Sequence, residues 1–181
     1  MSRMNIHPDE EYGEQFEEID YVAPKVKNRT KPPRPYQTIQ SDLIMGKRNE
    51  QKLLSYLNNL PENAEKQFGF FKNAFSTFDF VNEDTIAELK SRRVRCMRYH
   101  DTMIGYNKLK VCEEEHDKHV AGAEYVFYFL FTDGLYKWEY HKDQFQVKSF
   151  FHRDKQYCQE YGYIPVSYLE LVNPSMSSGN F

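Results

Sequence analysis

Cysteine, tryptophan and long apolar runs are what this 181-residue chain has little of: three Cys, one Trp and no extended hydrophobic stretch. Cys96, Cys112 and Cys158 are widely spaced and odd in number, which excludes a disulfide framework and agrees with a reducing compartment. No apolar run approaches the roughly 18 residues that a membrane span needs. The amino terminus lacks the basic-then-apolar order of a secretory leader. The expectation is therefore an intracellular protein, cytoplasmic or nuclear, with no membrane partner. Also missing are a glycine-rich phosphate loop, a Ser, Cys or His nucleophile elbow and any internal repeat, so phosphate-loop NTPase and triad hydrolase chemistry are set aside.

What is present is aromatic and charged: 14 Tyr, 14 Phe and 28% charged residues. The length suits one domain with a real core plus a tail. The net charge of −3 is unevenly spread. Residues 1–20 hold seven acids against Arg3 and carry −6, which leaves +3 on the remainder. Arg92, Arg93, Arg95 and Arg98 fall within seven residues. A mildly basic body with an acidic tail is compatible with a polyanionic partner, although most such tails are merely solvated.

Three segments follow from pattern. Residues 1–40 are polar, with Pro32, Pro33 and Pro35 near their end, and read as a disordered acidic and basic tail. Within it, the basic run from Lys25 to Arg34 fits a flexible linker better than an import or phosphate-binding patch. Residues 41–172 read as the folded domain and 173–181 as a flexible carboxyl-terminal tail. Inside the domain, Ser41 or Asp42 can cap a helix that runs to Asn58-Asn59-Leu60-Pro61. Its apolar stripe is Leu53, Leu54 and Leu57, with Glu50 at the edge. Ser76 to Val81 alternates with period two, Asn82 to Thr85 is a turn, and Ile86 to Lys90 alternates again. Asp101 to about Lys118 reads as a second helix. Glu124 to Tyr140 reads as a hairpin around Asp133-Gly134. Phe145–Phe151 reads as an edge strand, and Pro165–Leu171 as a short helix.

Alternation on the strand 86–90 puts Glu88 and Lys90 on the same side, about 6.5–7 Å apart along the strand. A hairpin would bring Asp79 alongside. Gly46-Lys47-Arg48-Asn49-Glu50, Phe78-Asp79-Phe80 and Glu88-Leu89-Lys90 together resemble the PD-(D/E)xK superfamily of nucleases, similar to Holliday-junction-resolvase-like and phage or viral members. Phe78 stands where that motif has Pro. The resemblance covers roughly residues 41–140 and implies an α/β domain, a central mixed β-sheet flanked by helices in the restriction-endonuclease-like manner. It implies Asp79, Glu88 and Glu50 as ligands of Mg²⁺ or Mn²⁺, Lys90 as the residue on the attacking water, and DNA as substrate. It leaves a homodimer as an assembly to test.

Blander explanations stand beside each residue. Glu50 could be an edge carboxylate that reaches solvent, and Glu88 with Lys90 an exposed ion pair of little worth. Arg92, Arg93, Arg95 and Arg98, with Lys108 and Lys110, would neutralise backbone phosphates or form a solvated charged face. Cys112, His116 and His119, with Cys96, are a competing zinc pattern whose spacing matches no common finger. Tyr136, Trp138 and Tyr140 could stack on bases, but alternation in a half-buried hairpin explains them more simply.

Overall fold

The computed structural model describes residues 36–71, 76–117, 123–152 and 157–178. The first thirty-five residues of the expected tail lie outside these, as do Phe75, His119 and residues 179–181. The architecture is α/β: two helices on a large mixed sheet, with a second small sheet.

Helix α1 spans Tyr36–Asn58, so it begins before Ser41 and takes in the last residues assigned to the tail. Asn49, Leu53 and Leu57, four residues apart, are buried on one stripe, whereas Leu43 and Ile44 further up are exposed. The helix ends in a side-chain clamp. Asn58 Oδ1 accepts from Phe68 N at 2.7 Å and its Nδ2 donates to Phe68 O at 3.0 Å, which ties the helix end to the first strand.

The main sheet runs β1(Gly69–Phe70), β2(Phe80–Val81), β3(Thr85–Ser91), β5(Glu124–Phe131), β6(Gly134–Glu139), β9(Glu170–Asn173). β1, β2 and β3 are antiparallel, β3 and β5 are parallel, and β6 and β9 continue antiparallel. The β2–β3 turn is built by Asn82, whose Oδ1 accepts from Asp84 N and Thr85 N at 3.0 and 2.7 Å. β5 is buried on both faces, as expected of a strand covered on each side, and reads as an unbroken apolar run. Val126, Tyr128 and Leu130 meet Leu53, Leu57, Ala87 and Leu89 beneath α1. Phe127 and Phe129 meet Phe78, Trp138 and Leu109 on the other side.

Three expectations change here. Asp101–Gly105 is not helical but forms β4, because Thr102 and Ile104 are buried while Met103 is exposed, a period of two. Helix α2 is therefore shorter, Tyr106–Asp117. The expected edge strand exists as β7(Gln146–His152), but it belongs to a second sheet, β4–β8–β7, whose middle strand β8(Tyr157–Pro165) the pattern did not reveal. Lastly, Pro165–Leu171 gives a single 3₁₀ turn, Val166–Tyr168, before β9. Beyond Asn173 the chain still packs: Ser178 is buried, its N donates to Phe131 O at 2.8 Å and its Oγ to Arg92 O at 2.6 Å.

Two glycines matter. Gly134, at φ 152°, makes the turn after Asp133 that joins β5 to β6. Gly162 on β8 lets α2 approach: a Cβ there would stand 2.0 Å from Leu109 Cδ1. Gly162→Ala is therefore expected to overpack this contact and lower stability by about 1–3 kcal/mol. Urea denaturation would check it, and an unchanged midpoint would refute the close-packing argument.

Candidate active site

Asp79 sits where β2 has not yet begun. Its N donates to Ala87 O at 3.1 Å, and its side chain then takes the place of a strand: Oδ2 accepts from Leu89 N at 2.8 Å. The carboxylate therefore caps the free edge of β3 and is held against it. One residue before Leu89, Glu88 points to the opposite face and is 1% exposed. Leu109 and Cys112, both fully buried, fix α2 against that face, so that Lys108 reaches the same spot.

Glu88 is held by two ammonium groups. Its Oε1 lies 2.7 Å from Lys90 Nζ and its Oε2 lies 2.7 Å from Lys108 Nζ, the second contact being ionic without hydrogen-bond alignment. Lys108 is 16% exposed and Lys90 33%. The Lys108 ammonium also donates to Thr77 O and stands 5.5 Å from the centre of the Phe78 ring. Burial pushes the Glu88 carboxyl above its ordinary value and the Asp79 charge adds to this, while Lys90 and Lys108 oppose both. Glu50, half-buried on α1, is raised for the same reasons, burial first and Asp79 second, against Lys47 and Lys90. Asp79 and Lys90 each act on both glutamates, so the four residues singled out in the sequence share one electrostatic neighbourhood. Among the described residues, however, no three His, Cys, Asp or Glu side chains are gathered as a ready-made metal centre.

Beside Glu50, Asn49 is fully buried. Its Nδ2 donates to Ser91 Oγ at 2.8 Å, which joins α1 to the end of β3, and its Oδ1 has no partner among the described residues.

Comparison with protein-family models, with curated proteins and with solved structures returns no match.

The basic residues divide by what they touch. Arg92 is largely spent on the fold: Nε donates to Thr102 Oγ1 at 3.2 Å, another guanidinium N–H reaches Met103 O, and burial lowers its pKa. Arg93 is exposed but pairs with Asp42 on α1. Arg95 and Arg98 are exposed, the second standing 5.9 Å from the Tyr99 ring centre. Lys110 is exposed, 3.9 Å from Glu114. Lys108 is not on the outer helix surface with Lys110 but inside the site. Its place follows from the spacing, one residue before the buried Leu109 and four before the buried Cys112, in a helix that starts at Tyr106 and not at Asp101.

The zinc pattern is not assembled among the described residues. Cys112 and Cys96 are both buried in the aromatic core, and burial pushes their thiols up to about 12 and about 11. His119 lies outside the described residues. Trp138 is 2% exposed and packs 5.4 Å from Phe127, which leaves it no face for a base. Among the described residues no helix is long and apolar enough to cross a membrane.

A pH consequence follows from Glu50. Because its folded carboxyl is raised, the folded chain binds that proton more readily than the unfolded one. Its contribution to stability is therefore fully present below the ordinary value near 4.5 and is lost as pH rises through the raised value. Glu50→Gln removes this loss, so the variant should gain on the native protein between acid and neutral pH. Urea midpoints measured across that range would check it, and parallel curves would show Glu50 to be solvated in both states.

Proposed function

We propose that this chain is a metal-dependent nuclease of the PD-(D/E)xK type, hydrolysing phosphodiester bonds in DNA during repair, recombination or viral or phage DNA processing. The observation that carries this reading is Glu88, a carboxylate kept almost out of water with Lys90 on one oxygen and the Asp79 charge acting on it. Stability alone gives no reason to bury such a group, since its desolvation is costly, and strongly perturbed groups gather at functional sites. The restriction-endonuclease-like arrangement is supported by element order: a helix, three antiparallel strands, then a crossover through α2 to β5, parallel to β3.

Glu50, Asp79 and Glu88 offer only carboxylate oxygens, the hard donors that Mg²⁺ or Mn²⁺ takes, and a divalent charge would relieve the repulsion among them. Asp79 and Glu88, with Glu50, would hold it. Such an ion, when bound, supplies Lewis acidity and lowers the pKa of water at the scissile phosphate. Lys90 would hold the attacking water, or as the neutral amine take its proton, and as an ammonium would face the negative charge that builds on the non-bridging phosphate oxygens. Arg95 and Arg98 neutralise flanking phosphates without reading sequence, so binding weakens as salt rises.

The alternative is a catalytically inactive module of the same fold that binds nucleic acid or protein. It is favoured by the fact that both Glu88 oxygens are engaged by lysines. Incubation with linear, nicked, single-stranded and four-way DNA in Mg²⁺ or Mn²⁺ separates the two. Cleavage that disappears in Asp79→Ala and Lys90→Ala, with circular dichroism and DNA binding retained, is the expected result. Failure to cut any of these substrates leaves only the binding module.

A further inference from the structure

Lys108 belongs to no part of the nuclease motif, yet it is the best-fixed cation in the site. Its ammonium is held by Thr77 O, by Glu88 Oε2 at 2.7 Å and over the Phe78 ring, at 16% exposure. Its helix is pinned by Leu109, which approaches β8 where Gly162 has no side chain. Lys90, on the other oxygen, is twice as exposed. Glu88 thus has one oxygen facing a partly exposed lysine and one facing a lysine anchored by further contacts.

The geometry points to Lys108 as a positioning residue that acts as a built-in competitor of the divalent cation, occupying a Glu88 oxygen that the cation would otherwise take. It keeps the buried carboxylate paired and aimed before loading, and it sets a threshold for loading, because the cation has to displace it. The Thr77 carbonyl and the Phe78 ring give the displaced ammonium a place to stay beside the site. This inference rests on the metal-dependent nuclease reading.

Mn²⁺ binding, followed by electron paramagnetic resonance of the free ion and by calorimetry, tests it without reference to cleavage. Lys108→Met keeps the apolar stem and removes the charge. Lys108→Gln keeps a donor for Thr77 O and serves if the first variant does not fold. Removal of a positive charge this close should tighten Mn²⁺ binding by about tenfold or more, while Glu88→Gln should abolish it. Binding by Lys108→Met where the native protein shows none would support the inference equally. Equal or weaker binding by both Lys108 variants overturns the competitor role and leaves the nuclease reading intact. Absence of binding in every variant at millimolar Mn²⁺ removes the nuclease reading and this inference together.

Discussion

Glu88→Ala is expected to abolish cleavage, a loss of about a thousandfold or more, and also to destabilise the fold. The first effect follows if Glu88 helps hold the cation, since that cation supplies several kcal/mol of transition-state stabilisation and each 1.36 kcal/mol is about tenfold in rate. The second follows from what remains: Lys90 and Lys108 face one another across an emptied buried pocket. Removing one partner of a fully buried ion pair costs about 3–5 kcal/mol. Lys90 is partly exposed and can turn outward, so about 2–3 kcal/mol is the reasonable expectation here. Glu88→Gln keeps the volume and should cost less in stability while losing as much activity. The decisive companion is Glu88→Leu with Lys108→Met. Apolar replacement of a buried ionic cluster is often neutral or stabilising, so this double variant should recover much of the stability and none of the cleavage. If it unfolds as badly as Glu88→Ala, the cluster serves the fold. If it folds and still cuts DNA, the site lies elsewhere.

The parts of this site that the sequence revealed are those governed by period two. Alternation along residues 85–91 is a local property, and it put Glu88 and Lys90 on one side and Ala87 and Leu89 on the other, as the packing shows. The Asp133-Gly134 hairpin was legible for the same reason: the glycine is needed at a positive φ. What pattern missed depends on partners distant in sequence. In β4 the five residues DTMIG suit either period, and only pairing with β8 decides for a strand over a helix start. β8 itself, YCQEYGYIP, shows little burial contrast in its first half because that half pairs with β7 away from the core. The position of Lys108 depends in turn on where helix α2 starts. The charge of Arg92 is visible in the sequence and suggests a phosphate contact, whereas its carbonyl partner eleven residues away is not visible there.

Phe127→Ala is expected to carry the largest cost in stability and to reset the site beside it. Phe127 is the parallel-register partner of Glu88, so the two side chains stand next to one another on the same face of the sheet. It is 1% exposed, with Trp138 and Phe78 ring centres 5.4 and 6.1 Å away. Truncating a buried Phe costs about 3–5 kcal/mol, set by the cavity left behind. That cavity would open against Glu88 and admit water to a carboxyl whose raised pKa comes first from burial. The Glu88 carboxyl should then fall back toward the ordinary carboxylate value, which a carbon-detected NMR titration would follow. Phe127→Leu keeps the wall dry, should cost far less, and should leave Glu88 raised. A Glu88 pKa that does not move in Phe127→Ala would mean that α2, and not this strand, keeps water from the carboxylate. The aromatic core of β5 would then be scaffold alone, with the electrostatics of the site resting on Lys90, Lys108 and Asp79.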